Sequence, residues 1–133
     1  MTDSAAPTTA TRKPRSVTIT LPLPRRELSP NARCHWRLKA RVVAHHRTTA
    51  RVMVGMSTHT PPAYRAASCE PRFFFAQNRK RDRDNLLASL KSSFDGLADG
   101  GLIVNDSAMT YLPVVVAIDR TNPRVELHIT ETE

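Results

Sequence analysis

Hydrophobic periodicity along this chain switches from two residues to about 3.6 and back, and the order of those switches limits the folds open to it. Residues 16–21 alternate strictly, with Val17, Ile19 and Leu21 on one face, as in a half-buried strand. Pro22, Pro24 and Pro30 then rule out regular structure, so residues 22–35 are expected to form a loop. Residues 36–56 carry helical periodicity. On a helical wheel Leu38, Val42, Val52, Met53 and Met56 share a stripe about 100° wide, expected to face the core. Arg37, Arg41, Arg47 and Arg51 point roughly the other way. Gly55 and the Thr-His-Thr-Pro-Pro run end that helix, and residues 57–70 read as loop. Residues 71–76 hold Phe73, Phe74 and Phe75, a short and largely buried strand. A second helix is expected over residues 84–98, with Leu86, Leu87, Leu90, Phe94 and Leu97 as its apolar stripe and Gly100 and Gly101 as its stop. Residues 111–118 and 124–130 are two further strands, joined by an Asp-Arg-Thr-Asn-Pro turn that implies a hairpin. The order β-α-β-α-β-β predicts an α/β (α+β) fold: a small mixed sheet with two main helices packed on it.

A chain of 133 residues suits one domain. It is expected over residues 16–133, after a disordered basic tail at residues 1–15 that is rich in Ser, Thr, Ala and Pro. The longest apolar run, residues 114–118, is far too short to span a bilayer, and the first fifteen residues hold no apolar stretch of the signal-peptide kind. Cys34 and Cys69 form no Cys-x-x-Cys pair, which argues against a structural zinc site. A reducing cytoplasm with both thiols free is the expected setting. Aromatics make up only 5% of the chain, and Trp36 is expected in the core with the three phenylalanines.

The net charge of +8 is unevenly placed. Residues 1–81 carry 16 Lys and Arg against 3 Asp and Glu; residues 82–133 carry 4 against 9. A basic body suits a polyanion, and a cluster of carboxylates within it needs a separate reason. Asp82 and Asp84 stand where a loop meets the second predicted helix, and Asp106 follows that helix just before the next strand. On the wheel Lys91 and Asp95 fall within about 40° of Asp84, beside the apolar stripe. Clustered carboxylates repel, and a divalent cation removes that penalty. Mg2+ prefers oxygen ligands, activates water and neutralises charge on a phosphodiester; a nearby lysine can stabilise that charge or protonate the leaving oxygen. The plainer reading is that Asp at a helix start caps it and Asp before a strand makes a turn. An EF-hand loop starting at Asp82 fails, because Leu86 and Leu87 stand where it needs Asp or Asn and then Gly.

The run Arg81-Asp82-Arg83-Asp84-Asn85-Leu86-Leu87, then Lys91-Ser-Ser-Phe-Asp95-Gly-Leu97, then Asn105-Asp106, resembles the RusA family of Holliday junction resolvases. The loop Ser29-Pro-Asn31-Ala-Arg-Cys-His35-Trp36 and the closing strand Arg124-Val-Glu-Leu-His-Ile-Thr130 are similar to that family's too, so the resemblance covers about residues 16–131. It implies a small homodimeric endonuclease, often phage-encoded, that binds four-way DNA junctions and cuts two opposing strands with Mg2+, for which Mn2+ can substitute. By position, Asp82, Asp84 and Asp106 are its metal-binding carboxylates and Lys91 its catalytic lysine. One departure stands out. The family's lysine commonly follows the second aspartate by four positions, where this chain has Ala88; here it comes at plus seven. On a continuous helix that keeps its direction and moves it about 4.5 Å along the axis.

Arg79, Lys80, Arg81 and Arg83 bracket the acidic pair and are expected to position phosphates, with steep salt dependence. Asn31, His35, Arg37 and Arg41 complete the expected DNA-binding set; His35 is open to a phosphate contact or a structural role, and Arg47 and Arg51 to DNA or solvent. No nucleotide-binding fingerprint occurs, so no nucleotide cofactor is implied, and no membrane partner either. The expectation is therefore a Mg2+-dependent endodeoxyribonuclease resolving branched DNA by paired cuts. The rivals are a nuclease for forks or flaps and a non-catalytic junction-binding module.

Overall fold

The computed structural model describes residues 13–132. The fold is α+β: a mixed five-stranded sheet with helices on one face. Its elements are β1 (Ser16–Leu21), α1 (Trp36–Gly55), β2 (Ala67–Phe75), α2 (Arg83–Ala88), α3 (Lys91–Asp99), β3 (Met109–Tyr111), β4 (Val115–Ile118) and β5 (Arg124–Glu131). Two 3-10 turns lie at Arg26–Leu28 and Asp106–Ala108.

β2 is the central strand. β5 pairs antiparallel with it and with β1, while β3 and β4 pair parallel to successive stretches of its other edge. The strand begins four residues before its expected start, because Ala67, Cys69 and Pro71 continue the buried alternation of Phe73 and Phe75. A proline within a central strand is normally excluded, since it cannot donate to the ladder. Here Pro71 falls in the gap between β3, paired up to Cys69, and β4, paired from Arg72.

Three expectations are corrected by this topology. The strand expected over residues 111–118 is two strands, separated around Pro113. Nor do β4 and β5 form a hairpin: they lie on opposite edges of β2, so residues 119–123 arch over its end. The turn chemistry is nonetheless strong. Asp119 Oδ1 accepts from the backbone N–H groups of Thr121 (3.1 Å) and Asn122 (3.2 Å), and Oδ2 accepts from Arg124 at 2.8 Å. Third, the tail expected at residues 1–15 ends sooner. Residues 1–12 lie outside the described residues, but Arg15 donates to Glu131 Oε1 (3.0 Å) and Oε2 (2.9 Å) and covers the Tyr64 ring at 4.6 Å.

The Arg124 guanidinium and the Thr121 donors hold the Asp119 carboxyl down at about 2, from its ordinary 3.8. A depressed folded-state value means the turn's contribution is complete above pH 3.8 and is lost as pH falls through 2. An NMR titration is expected to place the Asp119 midpoint near 2; a midpoint at its ordinary 3.8 would show that the arch is not held this way.

The core lies between the sheet and the helices α1 and α3. Val17, Ile19, Leu21, Phe73, Val125, Leu127 and Ile129 face Ala50, Val54, Leu90, Phe94 and Leu97. The opposite sheet face is polar and cross-linked, with Arg72 on Glu70 (2.5 Å), Arg124 on Glu126 (2.8 Å) and the Arg124 guanidinium 4.0 Å over the Phe74 ring.

The apolar stripe expected to face the core from α1 does so in part: Val42 is buried and Met53 packs against the core, but the buried face is rotated away from the rest of the stripe. Val42, His46, Ala50 and Val54 are the buried positions, while Leu38, Val52 and Met56 are exposed. Backbone proximity, not side-chain hydrophobicity, decides the face: a Cβ on Gly96 would meet the Arg47 carbonyl oxygen and lie 2.8 Å from Ala50 Cβ. Trp36, expected in the core, is 68% exposed at the first position of α1.

The second helix is likewise two. α2 ends at Ala88, the Ser89 hydroxyl donates to the Leu86 carbonyl at 2.6 Å, and Leu90 N–H reaches Leu87 O in a tighter turn. A serine hydroxyl bound to a carbonyl of the preceding turn bends a helix, and here it marks the break. The expected stripe is otherwise as observed: Leu90, Phe94 and Leu97 are buried, with Leu86 and Leu87 packed against them. α3 ends as its glycines require. Gly101 takes φ +83°, its N–H bonds Ala98 O (3.0 Å), and Leu102 N–H bonds Leu97 O (3.1 Å). These are the paired bonds of a Schellman motif.

Candidate active site

β2 delivers the chain from the core into a basic loop, residues 76–82, which runs into α2. Asp82 is the N-cap of that helix. Its backbone is extended (φ −84°, ψ 113°), and Oδ1 accepts from the N–H groups of Asp84 (2.9 Å) and Asn85 (3.2 Å). The capping role weighed for Asp84 thus belongs to Asp82. The Asp84 carboxylate is exposed and takes no hydrogen bond or ion pair among the described residues.

Asp106 opens the 3-10 turn that precedes β3, and Asn105 caps that turn by accepting from Ser107 N–H at 2.9 Å. The first residue of α3 is Lys91. Its ammonium donates to Asp106 Oδ2 at 2.9 Å and to Asp95 Oδ1 at 3.2 Å. The hydrogen bond to Asp106, then that to Asp95, raises the lysine's pKa; the same lysine lowers that of Asp106. Lys91 is therefore a held cation near neutral pH, on an exposed surface where its pairing adds little stability. Tyr111 lies behind this group, its ring tilted at 33° against Phe94 at 4.7 Å, with its phenol pushed up to about 12 by burial and by Cys69 and Asp106.

The structure therefore brings Lys91, Asp95 and Asp106 together, and sets Asp82 and Asp84 at the start of α2. Among the described residues no group of three or more His, Cys, Asp or Glu side chains is gathered closely enough to hold a metal ion. The donor chemistry nonetheless fits a hard cation: all three aspartates offer oxygens, the hydrogen bonds to Asp82 use Oδ1, and Asp84 is uncommitted among the described residues.

The expected phosphate contacts divide by what already holds them. Arg79 and Lys80 are exposed in the loop. Arg81 lies with its guanidinium 3.5 Å over the Phe75 ring and donates to the Gln77 carbonyl at 3.4 Å, while its buried Nε has no hydrogen-bond partner among the described residues. Arg83 donates to the Val114 carbonyl at 2.6 Å, tying α2 to the segment before β4. His35 caps α1. Its Nδ1 accepts from Arg37 N–H at 3.1 Å, which leaves the proton on Nε2. His35 stacks on Trp36 at 5.8 Å and Arg37 covers the same indole at 5.3 Å. Arg41 and Asn31 are exposed. Arg47, from the same helical arc, is committed to Asp99 by two bonds of 2.5 and 2.9 Å.

Sequence reading passed over Tyr111, Arg25, Arg26 and Gln77, which stand around these groups. A doubled arginine after Pro24 was a visible signal for two of them; Tyr111 carried none, since its neighbours are set by the return of β3 to β2.

Both cysteines are free, Cys34 exposed and Cys69 buried. No helix among the described residues is long and apolar enough to cross a membrane. No family model matches the chain. A protein of Xylella fastidiosa, itself described only as uncharacterized, is 34% identical over 100 residues, which is 73% of this chain. The match spans 65% of that relative's own length.

Proposed function

We propose that this chain is a RusA-like, metal-dependent DNA endonuclease of the bacterial cytoplasm, acting as a homodimer on four-way junctions. The observation that carries the reading is the 2.9 Å contact between Lys91 and Asp106. The lysine sits three positions beyond its usual place in the motif, yet it meets the motif's last aspartate. The break at Ser89 lets it do so, because α3 restarts the helix at Lys91.

In this reading Asp82, Asp84 and Asp106 hold Mg2+, which supplies stabilisation of the charge that builds on a phosphodiester under attack by water. Lys91, held protonated, faces the phosphate and offsets charge on the leaving oxygen or gives it a proton. Arg79 and Lys80 fix the strand by its phosphates, and His35, Trp36, Arg37 and Arg41 offer a second contact. Two copies about a two-fold axis match the near two-fold symmetry of the junction and place two cuts on opposing strands.

Competition binding separates this from its rivals. Unlabelled four-way junction is expected to displace a labelled junction at a concentration at least about tenfold lower than linear duplex of the same sequence, with affinity falling steeply as salt rises. Fork or flap DNA displacing it best would move the substrate assignment. Equal displacement by linear duplex would contradict any branched-DNA role.

A further inference from the structure

A cavity of about 500 Å³ opens between the basic loop, the first turn of α2 and the segment after β1. Its size falls in the range of small-ligand sites. Three features distinguish it from a general basic surface. Its apolar wall includes Phe73 and Phe75, whose rings stack at 5.8 Å and 12°. Arg25, Arg26, Arg79 and Arg81 line it, and among the described residues no carboxylate does. The amides of Gln77 and Asn85 also reach it, each carrying both a donor and an acceptor.

Arg81 is the telling residue. Its guanidinium carbon sits 3.5 Å over Phe75, one terminal nitrogen donates to the Gln77 carbonyl at 3.4 Å, and its buried Nε has no hydrogen-bond partner among the described residues. A half-buried cation with one buried, unmet donor is better satisfied when a ligand completes it. An aromatic ring backed by a guanidinium plane is a platform on which nucleobases stack. The location is equally specific: Asn85, on the cavity wall, directly follows Asp84 and bonds the Asp82 cap.

We propose that this cavity receives one unstacked nucleotide of the DNA strand beside the cut phosphate. The base lies against the Phe75–Arg81 platform, Gln77 and Asn85 read its edge, and Arg26 and Arg79 hold its phosphate. This rests on the nuclease reading for its position, and it makes the cavity the place where base preference at the cut arises. A rival occupant is sugar-phosphate backbone alone, held by the arginines without any base.

The test compares two fluorescein-labelled single-stranded pentanucleotides bound to the full chain, one intact and one with an abasic central position, by anisotropy in EDTA. The intact strand is expected to bind about tenfold more tightly, the usual scale of one base stack. That ratio is expected to fall below about twofold in Arg81→Leu, which keeps apolar cover on Phe75, and to shrink in Gln77→Ala, an exposed loop change that spares the core. Equal affinities for the two strands would overturn the proposal in favour of phosphate contacts alone. A ratio that survives in both variants would place the base elsewhere, at Trp36 for example, and overturn it too. A tenfold ratio alongside no cutting of junctions by the wild-type chain would keep the base site and remove the nuclease reading. Cutting without any ratio would do the reverse.

Discussion

Gly96→Ala is expected to cost about 3 kcal/mol of folding stability, near the top of the usual range for overpacking. The added methyl has no room: it would collide with the Arg47 carbonyl and lie 2.8 Å from Ala50 Cβ. Neither obstacle is a flexible side-chain end, so α1 and α3 must move apart. That separation also strains the Arg47–Asp99 pair, whose two bonds tie the same helices. Gly55→Ala is the matched control, because nothing lies within 4 Å of its added Cβ. That change is expected to be neutral or to stabilise by roughly 0.5–1 kcal/mol, the ordinary gain of alanine over glycine in a helix. Urea denaturation of both variants measures the difference. A loss under about 0.5 kcal/mol at Gly96 would mean that the helices do not meet as closely as described.

Asp82→Asn is expected to lower Mg2+-dependent cutting at least about 100-fold while leaving the melting temperature nearly unchanged. The two readouts part because Asp82 has two roles. Its Oδ1 caps α2, and asparagine caps as well as aspartate. In the proposed nuclease its negative charge serves a cation, and asparagine lacks it. Junction affinity in EDTA is expected to hold or rise, since the change removes a negative charge facing DNA. Asp82→Ala loses the cap as well, about 1 kcal/mol. Near-normal cutting by Asp82→Asn would reduce this residue to a helix cap.

The strands of the fold were legible wherever alternation was strict. Val17, Ile19 and Leu21 face the core, and so do Val125, Leu127 and Ile129. What could not be seen was partner choice. β4 and β5 follow one another across a good turn sequence, yet each pairs with β2, because the central strand offers them two edges. The buried face of α1 was legible only at Val42 and Met53, for a related reason. Small residues, Ala50 against Gly96 and Gly100 against Val54, let the helices approach, and a hydrophobicity wheel gives such positions little weight. It pointed instead to Leu38, Val52 and Met56, which the structure leaves exposed.

In the candidate site, the motif singled out Asp82, Asp84, Lys91 and Asp106, but the Lys91–Asp106 contact was not among the expectations. The helix break at Ser89 was not anticipated, so the argument from one continuous wheel does not hold; Lys91 meets Asp95 and Asp106 from the first turn of a new helix. The exposure of Trp36 also ran against expectation. A large aromatic at the first helical position, stacked on its own cap residue, needs no core to be ordered.

The most direct measurement is incubation of the wild-type chain with an end-labelled four-way junction in Mg2+, beside a Ca2+ lane. The account predicts paired nicks at symmetric positions on opposing strands in Mg2+ and binding without nicks in Ca2+. Binding without nicks in Mg2+ and Mn2+ alike would contradict it, leaving Asp82 as a helix cap, Asp106 as a lysine partner, and the chain as a DNA-binding scaffold.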